Sequence, residues 1–313
     1  MHWKTKEKLV EKVLFIFALS SIIFLTGIIV VLFQEGLPIF GEVGVFEFIF
    51  GTEWYPTYDP PGYGILALIM GSFVVSIGAM ILSVPFGVAS AIFIAYILPK
   101  NLKKIVKPVV ELLAGIPSVV YGLFGMKILG PFIAKTFGLP TGLTGLTAAI
   151  MLGIMALPTI ISISEDAITS VPKNFRDASL ALGATKWETI SNVIVPTASS
   201  GIVTGIILGM GRAIGETMTV LMVAGGAAVM PKAPEASNLL APLLDPLRPM
   251  TATIAAEMGE TAVGSSHYHS LFGIAIILFV ITLFFNIIAD ILSQRFKEKV
   301  SGEWKIIIYS TAI

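Results

Sequence analysis

Arg212 and Glu216 stand four residues apart in GRAIGETMTV, residues 211–220, inside a stretch that otherwise carries no charge. On a continuous helix that spacing puts both side chains on one face. An arginine near the centre of a bilayer costs about 2.5–3.5 kcal/mol on insertion scales and is tolerated mainly where it faces protein or water. Its planar fork, charged at any ordinary pH, matches two oxygens of a tetrahedral oxyanion. Glu216 would repel a fully deprotonated anion, yet it can accept a hydrogen bond from the P–OH of phosphate, which sulfate lacks near neutrality. Thr217 and Thr219 add hydroxyl donors, so the substrate-path candidates are Arg212, Glu216, Thr217 and Thr219. The plainer reading is an internal ion pair, although Arg before Glu is the weaker order for a simple helix pair.

The elements that must carry these residues follow from composition. The 313 residues are 55% hydrophobic and only 13% charged, against about 25% charged in a soluble chain. Apolar stretches long enough to cross roughly 30 Å of hydrocarbon occur at 13–33, within 60–99, and at 109–129, 146–163, 197–224 and 271–288. The expectation is an all-α integral membrane protein with six transmembrane helices. The 40-residue uncharged stretch 60–99 is read as one long helix bent near Pro85 and Gly87. Two crossings there would put the lysines that follow it outside, against the charge rule. The first segment exceeds a secretory h-region and lacks an A-x-A-like cleavage site, so it reads as a retained helix.

Charge gives the orientation. Fifteen of the 20 basic residues fall in the N-terminal tail, the 100–107 segment, the 164–196 loop and the tail after 292, which places both termini in the cytoplasm. The 35–63 loop holds five acids and no base. The domains expected are a cytoplasmic N-terminus and first helix (1–34), an acidic external loop (35–63), a core (64–292) and a cytoplasmic tail (293–313). Within the core lie a cytoplasmic loop (164–196) and an external loop (225–270). Glu111 and Lys127 snorkel towards the inner and outer interfaces. The net charge of zero offers no basic field for nucleic acid. With no cysteine, disulfides, thiolate metal sites and cysteine nucleophiles are excluded, and His267-x-His269 alone makes no metal site.

The 164–196 loop contains RDASLALGATKWETISNVIVP, in which Gly183 marks a turn between two short helices and Pro196 suits a helix start. Ala178, Leu182 and Trp187 would share an apolar stripe if one helix ran through most of it. The run Asp177-Ala178-Ser179, three residues, Gly183, nine residues, Val193-x-Val195-Pro196 resembles the E-A-A-x3-G-x9-I-x-L-P loop of ABC-importer permeases. Asp177, Ser179, Val193 and Val195 are mild departures from it. The resemblance implies a coupling helix seated in an ATPase subunit, with Asp177, Ala178, Ser179, Leu182, Gly183, Lys186 and Trp187 at the contact.

Together with AGIPSVVYGLFG (114–125) and IAAEMGETAVGSSHYHSLFGIAI (254–276), these motifs resemble the permeases of the phosphate-specific (Pst) ABC importers, PstC-type, over about 64–292. Where a PstA-type chain is expected to read GETAP, this one has Met218 and Thr219. The resemblance implies a type I ABC importer permease fold in the cell membrane. It also implies a heterodimer with a PstA-type permease, a PstB-type ATPase dimer beneath and a PstS-type binding protein outside. That protein would dock on the acidic external surface and the Pro-rich 231–249 stretch. No G-x4-G-K-[ST] loop occurs, so ATP hydrolysis belongs to another chain and no cofactor is expected. Glu257, Glu260 and Ser265 read as a solvated external cluster, with an outer gate or binding-protein contact as the alternative. The rival functions are an ion-coupled secondary anion carrier, a membrane enzyme using Glu257, Glu260, His267 and His269, or an ABC permease for molybdate, tungstate or sulfate.

Overall fold

The computed structural model describes residues 2–233 and 240–311. Helix dominates, because backbone polar groups in hydrocarbon must be satisfied within the segment that carries them. Helix α1, His2–Glu42, extends well beyond the first apolar segment. Helix α2, Val45–Phe50, leads to a hairpin of β1, Trp54–Tyr55, and β2, Gly62–Tyr63, in which Trp54 pairs with Tyr63. Helix α3, Leu66–Ile97, crosses once and runs through Pro85 without a break.

The third crossing differs from its expected bounds. Helix α4, Lys100–Ala114, ends before Gly115, and helix α5, Ser118–Phe137, starts after Pro117, so the expected 109–129 helix is two helices. Pro117 disfavours helical backbone at Ile116 and supplies no N–H, and Gly115 gives up little by leaving the helix. Helix α6, Gly145–Thr169, is the fourth crossing as expected, capped by the Thr144 side chain. Helix α7, Lys173–Ala181, and helix α8, Lys186–Thr197, form the 164–196 loop.

Helix α8 turns by 68° into helix α9, Ser199–Gly215, and helix α10, Met218–Val223, follows after a break. Short helices α11, Ala241–Leu244, and α12, Met250–Glu257, precede the long helix α13, Ser266–Thr311. Among the described residues five helices are long and apolar enough to span, and the bent α8–α9 pair makes up to six. Residues 234–239 of the Pro-rich 231–249 stretch lie outside the described residues.

Helix α6 lies between α3 and α9 and carries the core. Ile160, fully buried, sits between Gly87 of α3 and Gly209 of α9, and a Cβ at either glycine would come within 2.7 Å of it. Small residues let helices approach closely where lipid offers no hydrophobic drive. The central cluster gathers Val75, Ala79, Met151, Met155, Val220 and Val223. An outer one packs Phe48, Trp54 and Leu68 on Met250, Leu271 and Ile274, and an inner one joins Ala91, Ile168, Ile194 and Ile202. Helix α1 meets the bundle through α13, where Gly36 lies against the backbone of Phe272.

Candidate functional site

Gly201, Gly205 and Gly209 form a ridge on α9 that presses on Ala167, Ser164 and Ile160 of α6. That close approach brings Arg212, less than one turn further on, to Thr159 of α6, whose hydroxyl accepts from Nη1 at 3.4 Å. Nη2 donates to the carbonyl of Ala114 at 2.9 Å. Ala114 is the last residue of α4, so the guanidinium sits at the negative end of a helix. The neighbouring Leu113 carbonyl accepts from the Tyr121 hydroxyl at 3.0 Å. Two of the carbonyls at the Gly115–Pro117 break are thereby taken by side chains.

Glu216 does not continue the helix. Its backbone is extended (φ −71°, ψ 131°), so Arg212 and Glu216 do not share one face of a continuous helix, which corrects the expectation from spacing. Its Oε1 accepts the N–H of Thr219 at 3.2 Å, capping α10, and its carbonyl accepts the Thr251 hydroxyl at 2.9 Å. No Arg212–Glu216 ion pair forms among the described residues, so the self-neutralising reading fails in this conformation. Each charge instead answers a helix end: Arg212 the C-terminus of α4, Glu216 the N-terminus of α10. Thr219, expected on the path, is fully buried and gives its hydroxyl to the Ser118 carbonyl at 2.9 Å. The Thr217 hydroxyl makes a long contact, 3.4 Å, to the Gly215 carbonyl.

Depth follows from the register on α6. Gly125 faces Met151, Thr219 faces Met155, Arg212 faces Thr159 and Lys107 faces Glu165, so Arg212 lies near the middle of the bundle. Two helix breaks, 115–117 and 216–217, meet there. Broken helices at membrane depth are tolerated where they are covered by protein or line a water-filled cavity. Arg212 and Glu216 are half-buried, and Gly115, Pro117, Gly211 and Gly215 around them are exposed.

In the 164–196 loop Gly183 takes the left-handed conformation (φ +86°) that a turn out of α7 demands. One helix therefore does not run through the loop, and the expected single stripe of Ala178, Leu182 and Trp187 is broken at this turn. The Ser179 and Thr189 hydroxyls, 3.0 Å apart, tie the two helices together. Thr185 and Glu188 form a reciprocal cap at the start of α8. The Thr185 N–H, and then its hydroxyl, hold the Glu188 carboxyl below its ordinary pKa. Asp177, Ala178 and Lys186 are exposed, as are Leu182 (89%) and Trp187 (64%), large apolar groups facing away from the bundle.

One ionic cluster went unread in the sequence, and a second was read without its partners. Glu165, 2% exposed on α6, pairs with Lys103 and Lys107 of α4, and Lys107 also reaches Asp166. The signal was there: lysines spaced along α4 and two adjacent acids at the end of α6. On the opposite end Glu257 accepts from Arg248 (2.8 Å), His267 (2.8 Å) and Trp54 (3.2 Å), so it is a half-buried hub and not a solvated residue. His269 instead donates through Nδ1 to the Glu35 carbonyl at 2.7 Å, so the two imidazoles serve different partners. Nearby, Glu42, Glu47, Glu53 and Asp59 line an open hollow of about 1160 Å³. Burial and then Glu42 raise the pKa of Tyr63 on its wall.

This bundle of short and broken helices around a half-buried arginine, with an apolar ledge on a two-helix loop, is that of an importer permease. The chain belongs to the family of binding-protein-dependent transport system inner membrane components, whose pattern matches residues 83–298. It is therefore a multi-pass membrane subunit of an ABC importer, working with a second permease, a separate ATPase and a substrate-binding protein, and is not itself an enzyme. It is 42% identical to "Probable ABC transporter permease protein YqgH" of Bacillus subtilis, covering 90% of this chain and 88% of that one. It is 34% identical to the phosphate transport system permease protein PstC of Mesorhizobium japonicum (89% and 87% covered). PstC 1 of Mycobacterium bovis is 36% identical (80% and 82% covered). Among solved structures, the bacterial alginate ABC transporter with its periplasmic protein matches at 15% identity and TM-score 0.64, covering 94% of this chain and 96% of that one. The inward-facing MetNI methionine transporter matches at 18% identity and TM-score 0.53, over 74% and 94%. These likenesses establish the type I importer fold.

Proposed function

We propose that this chain is the PstC-type permease of a phosphate importer, forming one half of the translocation path. The observation that carries the reading is the arginine at mid-depth, held among the described residues by neutral acceptors at the meeting of two helix breaks. An arginine kept out of ion pairs is available to a passing oxyanion. The PstC relatives supply the choice of phosphate. Arg212 and Glu216, with Thr217, face the path, whereas Thr219 and Thr251 hold the α10 junction in place. Arg212 binds the anion, and Glu216 favours the protonated form of phosphate by accepting its P–OH.

The second half of the path is a PstA-type permease. Leu182 and Trp187, flanked by Asp177, Ala178, Ser179, Gly183 and Lys186, seat the loop in a PstB-type ATPase dimer, whose closure is transmitted through the rigid α8–α9 bend. A PstS-type protein delivers phosphate to the outer face that carries the acidic hollow and the Glu257 hub. Both termini lie in the cytoplasm. Phosphate uptake by the assembled transporter tests the reading. Arg212→Ala should lower the maximal rate roughly 10- to 100-fold, the worth of charge-assisted bonds of about 1.5–3 kcal/mol. Uptake at the wild-type rate in that variant, or with no ATPase present, would overturn it.

A further inference from the structure

Arg212 is gripped by groups that sequence spacing did not single out, and the grip has a definite shape. The Thr159 hydroxyl takes Nη1 and the Ala114 carbonyl takes Nη2, both from outside α9. Ala114 offers its carbonyl only because α4 stops there. In a continuous helix the N–H of Ser118 would take it, and here Ser118 begins the next helix. Thr159 is set beside Arg212 by the α6–α9 approach at Gly209 and Ile160. Two of the five guanidinium N–H donors are used in this way, which leaves donors for an oxyanion.

We propose that Thr159 is a positioning residue that, with the Ala114 carbonyl, holds Arg212 open to the transported oxyanion and away from Glu216. The proposal deepens the reading above and rests on it. A carboxylate partner would have to be displaced by each arriving anion, at the cost of a charge-assisted bond. A hydroxyl at 3.4 Å and a carbonyl orient the fork without neutralising it. Without Thr159 the side chain gains freedom to swing towards Glu216, four residues on, and close the pair that the structure keeps apart.

The test is oxyanion uptake by the complete transporter in cells, with the abundance of assembled complex measured alongside. Thr159→Val keeps the shape and removes the hydroxyl, and should lower the maximal rate three- to tenfold with KM for external phosphate within twofold. Thr159→Ser should return the rate to within twofold of wild type. In an Arg212→Lys background, where the fork is already lost, Thr159→Val should add no further loss. Wild-type rates in Thr159→Val, equal impairment in Thr159→Ser, or losses that multiply with Arg212→Lys would each overturn the proposal. If Thr159→Val does not assemble, Thr159→Ala is read by the same criteria. Should the wild-type complex carry molybdate or sulfate in place of phosphate, the substrate reading fails and the same ratios are taken with that anion. If it carries no oxyanion, both fall.

Discussion

A charge in hydrocarbon must be answered by something, and at this site each is answered by a helix end. The carboxylate of Glu216 accepts the Thr219 N–H, the first turn of α10, and thereby fixes the break on which the site depends. Its charge and its capping role are separable by mutation. Glu216→Gln keeps an oxygen that can cap Thr219 and removes the negative charge, so α10 should persist while discrimination is lost. Sulfate, which the wild type should exclude, should then compete with phosphate for uptake; unchanged exclusion of sulfate would remove this role for Glu216. Arg212 and Glu216 were legible in the sequence because charge stands out in an apolar stretch. Their partners were not: Ala114 is 98 residues away and contributes a backbone oxygen, which no side-chain pattern records.

Among the elements, the broken helices are where local rules and tertiary packing part company. Apolar runs located the crossings, and Gly115 with Pro117 marked a break whose signal the run of apolar residues around it concealed. What stabilises α4 against α6 is the Glu165 cluster. Lys103 and Lys107 remain 25% and 31% exposed, so water shares in their solvation. Breaking a fully buried pair costs about 3–5 kcal/mol, and the exposure here lowers the expectation for Glu165→Leu to about 1–3 kcal/mol. Thermal unfolding of the purified complex should show the loss. It should be largely recovered when Lys103 and Lys107 are also made Met, since replacing a whole ion cluster with apolar groups is nearly neutral. Full stability in the single variant would show that the cluster does not hold α4.

The 164–196 loop shows the reverse relation: Gly183 was legible as its turn, and the cap that was not read, Thr185 with Glu188, is also local. Gly183, Thr185 and Glu188 specify turn and cap within a few residues, independently of the bundle. Thr185→Ala removes the cap hydroxyl and should weaken the start of α8 by about 1 kcal/mol. Trypsin cleavage after Lys186 in the permease freed of its ATPase subunit should quicken several-fold, while cleavage after Lys173 should not. Because the carboxyl of Glu188 lies below its ordinary pKa, its contribution is complete above the unfolded value and fades as pH falls through the folded one. Glu188→Gln and wild type should therefore converge under acid in the hydrogen-exchange protection of the first turn of α8, and a difference that persists below that range would show that the carboxylate charge is not what orders the helix start.

At the scale of the molecule, orientation follows from where the bases lie, and the structure adds surfaces by which it can be read. Lysines bind Glu165 and Asp166 at one end of α6, and the acidic hollow and the Glu257 hub lie at the other. In the proposed orientation, with the cationic loops inside, these ends lie on opposite sides of the bilayer. The chain has no cysteine, so single cysteines can report each face without background. Tyr58, 69% exposed on the hairpin, and Leu182, 89% exposed on the loop, are suited to this. Tyr58→Cys should react with a membrane-impermeant maleimide on intact spheroplasts. Leu182→Cys should react only after permeabilisation, and more slowly when the ATPase subunit is bound, if the same residue forms its seat as proposed. Labelling of Leu182→Cys from outside would invert the bundle and remove the ATPase from the only face where cellular ATP can reach it.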